Sequence, residues 1–153
     1  MEQMKTIFDT DTRAQLIQRI TQLDETQQPV WGKMNFYQML KHNTYWNSWM
    51  LGIGPHTYKQ EFLGKIFGKF ALKRMIKDEK PLDRNIPTSD PFKVKETAGD
   101  WQAEKAKWIA LIRQYENYNN PDFVHDFFGK MTTDQIGRLV YKHTDHHLRQ
   151  FNG

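Results

Sequence analysis

The sequence contains no cysteine among its 153 residues. That absence excludes disulfide bonds, thiolate catalysis and cysteine-based zinc sites, so any bound metal must be held by imidazole or carboxylate groups. Long apolar runs are also missing, and the mean hydropathy is -0.82, so no transmembrane segment is expected. Residues 1 to 11 lack the apolar stretch of a secretory signal. We therefore expect a cytoplasmic protein.

Aromatic residues are plentiful, at 14% of the chain, and apolar residues of all kinds make up 38%. This content is too high for a disordered chain, and the length suits one domain with its own core. A single domain over residues 1–153 is the expectation. Because no series of short alternating runs with turn dipeptides is present, the predicted fold class is all-α.

The net charge of +4 is concentrated in one stretch of the chain. Between Lys59 and Lys80 there are seven basic and three acidic residues, and the remainder sums to zero. A nucleic-acid-binding protein would show a broad basic face or a recognisable motif. Nucleic acid is therefore not an expected partner.

Four segments have the 3.6-residue apolar periodicity of amphipathic helices. They begin near Thr12, Asn35, Asp100 and Thr132. The second and fourth open with capping boxes, because a glutamine follows each cap residue by three positions, at Gln38 and Gln135. Four helices of this length pack most simply as a four-helix bundle.

A long connection, residues 52 to 99, joins the second and third predicted helices. Its second part, residues 80 to 97, contains three prolines and predicts an extended loop. Its first part predicts an extra short helix. A connection of this length permits a crossover, so the helices need not alternate up and down.

Three histidines fall on inward faces of two predicted helices. His143 and His147 lie one turn apart in the middle of the apolar stripe of the fourth helix, and His42 shares a face with Trp46 in the second. Buried imidazoles need partners for both ring nitrogens, and one cation can satisfy several. The pattern predicts a divalent metal site with an open coordination position, as in catalytic sites. A hydrogen-bonded polar core or an acid-sensing cluster is the alternative.

Five other polar residues surround this pattern. Asn43 and Gln150 are candidates to accept a hydrogen bond from a ligating imidazole. His125 and His146 are expected to be surface or capping residues, and they are also candidate proton carriers at the rim. Asp145 is expected to point outward. Because no inward acid is placed as a general base, a metalloprotease is disfavoured.

The string His143-x-x-His146-His147-x-x-Gln150, with His42 following Trp31-Gly32-Lys33-Met34, resembles the DinB/YfiT-like superfamily of metalloenzymes. The chain is most similar to an uncharacterised branch in which a His-Pro-Phe-Phe-Gly-Lys segment recurs, although Asp126 replaces the proline here. The resemblance implies a four-helix bundle with a long crossover between helices two and three. It also implies a divalent metal, often nickel or zinc, and assigns the ligand role to His42, His143 and His147. Homodimers, and members that use low-molecular-weight thiols on small-molecule substrates, are further implications.

The basic stretch contains an amphipathic pattern over residues 59 to 77. Its apolar positions are Phe62, Leu63, Ile66, Phe67 and Phe70, and its basic positions include Lys65, Lys69 and Lys73. Such a stripe usually packs on the domain while lysine stems cover its edges, and this is the expectation. Peripheral contact with an anionic membrane and a mobile lid over the metal are the alternatives.

Together these patterns predict a metal-dependent enzyme that acts on small molecules, as a thiol-dependent transferase or a hydrolase. The first alternative is a non-catalytic helical module for binding or dimerisation, with the histidines as a polar core. The second is a peripheral membrane binder that uses residues 59 to 77.

Overall fold

A computed structural model describes residues 3–153; residues 1 and 2 of the predicted domain lie outside this range. The described chain forms five α-helices and no strand. They are α1 (Thr10–Thr21), α2 (Phe36–Leu51), α3 (Phe62–Ile76), α4 (Trp101–Gln114) and α5 (Thr133–Gln150). The all-α prediction is confirmed. Within residues 3–153, none of the helices has the length and apolar character needed to cross a membrane.

The capping boxes at the starts of α2 and α5 form as predicted. Asn35 Oδ1 accepts a hydrogen bond from Gln38 N at 2.9 Å, and Thr132 Oγ1 accepts one from Gln135 N at 3.2 Å. Each glutamine side chain returns a bond to the backbone of its cap residue. These local bonds fix where the two histidine-bearing helices begin.

Two other helix starts depend on aspartate caps. Asp100 accepts from Ala103 N at 3.0 Å, where the sequence predicts the start of α4. α1 begins two residues earlier than predicted, because Asp9 is its cap and accepts from Thr12 N at 2.8 Å. Thr12 therefore lies inside the first turn rather than at the helix boundary.

The helices enclose one apolar core. α4 packs along α2 and against α1, and α5 contacts α1 and α3. The fully buried side chains include Leu16, Ile20, Met39, Leu40, Trp108, Ile112 and Val140. These residues lie on the faces that the 3.6-residue periodicity marks as apolar, so the same periodicity places the histidines of α2 and α5 inside.

The connection between α2 and α4 carries α3 and then a loop. α3 has 15 residues, so the extra helix is as long as its neighbours rather than short. Residues 80 to 97 run as a loop interrupted by one 3-10 turn, Asp90–Phe92. Phe92 is buried and its ring lies 4.9 Å from that of Trp49, so the turn is held against α2.

The apolar side chains of α3 face solvent, and the prediction that they pack on the domain is wrong. Their exposed fractions run from 55% to 74% for Phe62, Leu63, Ile66, Phe67 and Phe70, which we call the apolar ridge. The buried positions of α3 are instead Gly64, Gly68, Leu72 and Ile76. Both faces are apolar, and the face with two glycines packs because it permits the closest backbone approach.

The glycine face of α3 lies directly on the backbone of the loop before α5. A Cβ atom would lie 2.3 Å from the Phe127 carbonyl oxygen if added to Gly64, and 2.2 Å from it if added to Gly68. Lys142 of α5 also donates to the Asp78 carbonyl oxygen at 2.9 Å, just beyond the end of α3. α3 is therefore held at its middle by the loop before α5 and at its end by α5 itself.

The close contact at Gly68 gives a test of this packing. Glycine to alanine in an exposed helix stabilises by about 1 kcal/mol, but here the methyl group would overlap backbone atoms. We expect Gly68→Ala to lower the free energy of unfolding by about 2 kcal/mol or more, measured by denaturant titration. Lys73→Ala, at an exposed position of α3, is the control and should change it by less than about 0.5 kcal/mol. An undiminished stability in Gly68→Ala would contradict the contact.

Candidate metal centre

α2 and α5 bring His42, His143 and His147 together inside the protein. Each contributes one ring nitrogen to a group whose members all lie within 4.8 Å of one another. His42 Nε2 and His143 Nε2 lie 3.3 Å apart. The ring centroid of His147 lies 4.8 Å from that of His42 and 4.6 Å from that of His143. These three side chains could hold a metal ion.

Hydrogen bonds on the outer nitrogens orient two of the three imidazoles. His42 Nδ1 lies 2.9 Å from the Phe92 carbonyl oxygen, which can only accept, so Nδ1 carries the proton. His147 Nδ1 lies 2.9 Å from Gln150 Oε1, and Gln150 Nε2 donates to the Trp31 carbonyl oxygen at 3.1 Å, which sets the direction of the amide. Both rings therefore present an unprotonated Nε2 to the cluster.

The third imidazole, His143, is positioned by stacking. Its ring lies 3.8 Å from that of Trp46, with an angle of 11° between the planes. Its Nδ1 is buried and has no hydrogen-bond partner among residues 3–153. His143 Nε2 can either give a proton to His42 Nε2 or coordinate an ion beside it. The cluster thus has a hydrogen-bonded form and a metal-bound form.

The donor set and its spacing fit a small divalent ion. Metal–nitrogen bonds of about 2.0–2.1 Å in tetrahedral geometry place two donors about 3.3 Å apart. The two Nε2 atoms of His42 and His143 are separated by that distance, 3.3 Å. All three donors are imidazoles, which suit zinc, nickel, copper and iron. Three protein ligands leave a position open for another molecule.

Burial keeps the three imidazoles in the form that binds metals. Desolvation lowers the pKa of His42, and its bond to the Phe92 carbonyl opposes the shift only in part. The pKa values of His143 and His147 fall well below the usual histidine value, first because both are buried and then because the neighbouring imidazoles repel a further charge. All three are therefore neutral at pH 7, with nitrogen lone pairs free to coordinate.

A cavity of about 440 Å³ opens beside the cluster. One part of its wall is formed by His42, Trp46 and His143, and another by Ala71 and Met75 from the buried side of α3. Leu82, Ile86, Pro87 and Phe92 add apolar surface from the crossover loop. The sequence showed no inward acid, but Glu61 and Asp126 also line the cavity, together with Thr88 and Ser89. The cavity therefore suits a small molecule with an apolar body and polar groups.

His125 and His146 are buried, and the surface position considered for them is wrong. Each is only 8% exposed, and both line the cavity. The Trp31 ring covers His146, with 5.3 Å between the ring centroids. His125 is held in a tight turn by two backbone hydrogen bonds with Gly129, at 2.9 and 3.0 Å. Trp31 and Gly129 both lie in segments without regular secondary structure. Helical periodicity therefore does not predict the burial of His146 and His125.

The turn also determines which nitrogen of His125 carries the proton. His125 Nδ1 accepts hydrogen bonds from Phe127 N and Phe128 N, both at 3.1 Å, so the proton of the neutral ring lies on Nε2. Burial lowers the pKa of His125 to about 4, although the Asp126 carboxylate opposes the shift. Asp126 Oδ1 lies 3.1 Å from the same Nδ1, but an unprotonated nitrogen cannot donate to it. The pair is therefore not an ion pair at neutral pH.

Asn43 makes no hydrogen bond to His42, the histidine for which it is a candidate acceptor. Its Nδ2 donates to the Met39 carbonyl oxygen at 2.9 Å, within α2. The oxygen beside His42 belongs instead to Phe92, fifty positions along the chain. Every residue has a backbone carbonyl, so the sequence does not indicate that the Phe92 carbonyl is the hydrogen-bond partner of His42.

Asp145 is buried, at 6% exposed, and the expectation that it points outward is wrong. It accepts hydrogen bonds from Arg19 of α1 at 2.8 Å and from Arg149 at 2.7 Å. Two guanidinium groups compensate the burial of its charge. The i,i+4 spacing to Arg149 is a visible signal for one of these pairs, whereas Arg19 comes from a distant helix.

A family model matches residues 2–153, and its description is Protein of unknown function (DUF1569). No curated protein and no solved structure matches the chain. The family match extends over α1 to α5 and so includes all three histidines of the cluster. The chain belongs to the family described as Protein of unknown function (DUF1569).

Proposed function

We propose that this protein is a metal-dependent enzyme that acts on small molecules in the cavity beside the histidine cluster. One observation carries the proposal: three neutral imidazoles, with His42 and His147 buried and His143 half-buried, converge where the cavity begins. A purely structural ion has no need of a cavity, whereas a catalytic ion needs an open position that a substrate can reach.

His42, His143 and His147 would hold the ion. When bound, a divalent ion supplies a Lewis acid that lowers the pKa of a water or thiol ligand. The Phe92 carbonyl and Gln150 keep the rings of His42 and His147 aimed at the centre.

His125 is proposed to donate a hydrogen bond from Nε2 to an oxygen of the substrate. The sequence suggests a proton carrier, but a pKa of about 4 keeps the ring neutral near pH 7, and Nδ1 is engaged by the turn. A neutral imidazole with a fixed N–H stabilises developing negative charge without exchanging protons. His146 lines the same cavity, and its role as a proton carrier stays a prediction.

Substitution of His125 tests the tautomer and the turn together. His125→Ala leaves two buried N–H groups without their acceptor, and we expect it to lower the free energy of unfolding by about 3 kcal/mol. His125→Asn places an oxygen near the former Nδ1 and should recover at least half of that loss. Denaturant titration measures both, and nitrogen-15 NMR of the wild type should show a protonated Nε2. A protonated Nδ1 in the neutral ring, or equal losses in the two variants, would contradict the assignment.

Catalysis itself is tested with a panel of apolar electrophiles, assayed with and without low-molecular-weight thiols. Product that requires the thiol indicates a transferase, and product without it indicates a hydrolase. We expect turnover by zinc- or nickel-loaded wild type and by His56→Ala, whose exposed histidine lies outside the cluster. His143→Ala should lose activity by about 10²-fold or more. Equal rates in His143→Ala and wild type would refute metal-dependent catalysis at this cluster.

A second candidate function is a non-catalytic module for binding or dimerisation. The observation that favours it is the 3.3 Å separation of His42 Nε2 and His143 Nε2, which also suits an N–H···N hydrogen bond. In that case the histidines form a polar core, and metal ions should not affect folding stability.

We also propose that α1, α2, α4 and α5 form a DinB/YfiT-type four-helix bundle within a single domain, with α3 in the crossover. The packing of α4 on α1 and α2, and of α5 on α1, supports this arrangement. The choice between zinc and nickel, the use of a thiol, a homodimer and a cytoplasmic location stay predictions.

A further inference from the structure

The apolar ridge of α3 is a large hydrophobic surface without a partner in the protein. Phe62 and Phe70 are each 74% exposed, and Leu63, Ile66 and Phe67 each exceed 50%. Their spacing at 62, 63, 66, 67 and 70 places them side by side along one face of the helix. Contiguous apolar patches of this kind mark interaction sites, because they are costly to leave in water.

Within residues 62 to 77 the charges beside the ridge are all positive, although the exposed Glu61 caps the start of α3. Residues 62 to 77 contain five basic side chains and no acidic one. Because the net charge of the whole chain is +4, the residues outside this range carry a net charge of −1. The five are Lys65, Lys69, Lys73, Arg74 and Lys77, and all are exposed. At 100° per residue, Lys65 and Lys69 flank the ridge, while Arg74 and Lys77 extend it toward the end of the helix. The Lys69 ammonium also donates a hydrogen bond to the Lys130 carbonyl oxygen.

We propose that α3 docks on the surface of an anionic lipid bilayer. The apolar ridge would enter the boundary between headgroups and acyl chains, and the basic side chains would meet lipid phosphates and carboxylates. The packing of α3 supplies the necessary geometry, because its glycine face is fixed to the protein and the ridge lies on the opposite side. This inference is independent of the proposed metal chemistry.

The charge pattern favours lipid over a second copy of the chain. A symmetric contact through the ridge would bring ten cationic side chains together with no acidic residue of residues 62 to 77 between them. An anionic bilayer supplies the missing negative charge and an apolar phase at the same surface. The apolar side chains and the basic side chains of the ridge would then both have a partner.

Co-sedimentation with vesicles tests the proposal, using phosphatidylcholine vesicles with and without phosphatidylserine. We expect wild type to bind the anionic vesicles and to be released by salt. Phe62→Ser with Phe70→Ser, and separately Lys65→Glu with Lys73→Glu, should each weaken binding by about tenfold or more. The matched control is Lys95→Glu with Lys107→Glu, which makes the same charge change at exposed positions outside α3 and should bind like wild type.

Circular dichroism and melting temperature should show that all variants fold, since every substituted residue is exposed. Failure of wild type to bind anionic vesicles would overturn the proposal. Equal losses in the α3 charge variant and the control would also overturn it, because they would indicate only a net-charge effect. Two further results would reassign the surface: a concentration-dependent dimer lost in the phenylalanine variant, or binding to polyglutamate that this variant retains.

Discussion

Saturating zinc or nickel should raise the melting temperature of the metal-free protein by about 5–10 °C. An ion present at 100 times its dissociation constant stabilises the folded state by about 2.7 kcal/mol, and 1 kcal/mol shifts the melting temperature by roughly 2–4 °C at this chain size. The physical reason is that the converged imidazoles exist only in the folded state, so an ion binds that state preferentially. Scanning calorimetry with and without chelator measures the shift.

Two histidine variants distinguish metal binding at the cluster from metal binding elsewhere on the protein. His143→Ala removes one ligand and should abolish most of the shift. His56→Ala removes the exposed histidine outside the cluster and should retain the full shift. A shift of the same size in His143→Ala would place the ion elsewhere. No shift in any form of the protein would favour the hydrogen-bonded polar core and the non-catalytic module.

The metal-free protein should lose stability steeply below pH 6.5. Burial is the main cause of the lowered pKa of His42, His125, His143, His146 and His147. In the unfolded chain these groups titrate near their ordinary value of about 6.5, so the unfolded state binds more protons as the pH falls. The stabilisation is complete above pH 6.5 and is lost below it, down to about pH 4 in the case of His125.

The expected slope is large because the histidines act together. Each group that is protonated only in the unfolded state contributes about 1.4 kcal/mol per pH unit, as His125 does between about pH 6.5 and 4, and the other four histidines add to the slope in the same direction. Since a domain has roughly 5–15 kcal/mol of stability in total, the loss should be a large fraction of it. Denaturant titrations at several pH values between 7.5 and 5 measure this dependence.

The same titrations on His125→Asn provide the control, because this variant removes one of the five groups. The free energy of unfolding of this variant should fall less steeply with decreasing pH than that of the wild type. The difference in slope should be about 1.4 kcal/mol per pH unit, which corresponds to one proton. A wild-type stability that stays constant between pH 7.5 and 5.5 would show that the buried imidazoles do not have lowered pKa values.

The parts of the fold that depend on local sequence could be predicted. The capping boxes of α2 and α5 involve residues three positions apart, and the inward direction of the histidines follows from helical periodicity. The convergence of His42 with His143 and His147 needs only that these two apolar faces pack together. For that reason the candidate metal cluster was accessible from the residues alone.

The parts that depend on distant backbone contacts could not be predicted. α3 is apolar on both faces, and only the contact of Gly64 and Gly68 with the Phe127 carbonyl decides which one is buried. The bond from His42 to the Phe92 carbonyl and the burial of His125 both come from loops. Backbone groups of this kind are the same in every residue, so the sequence carries no mark of them.

Elemental analysis of untagged, purified protein is the most direct measurement of the central claim, that His42, His143 and His147 together hold a divalent ion. We expect close to one ion per chain in the wild type and in His56→Ala, and almost none in His143→Ala. Equal metal content in His143→Ala and wild type would contradict the claim.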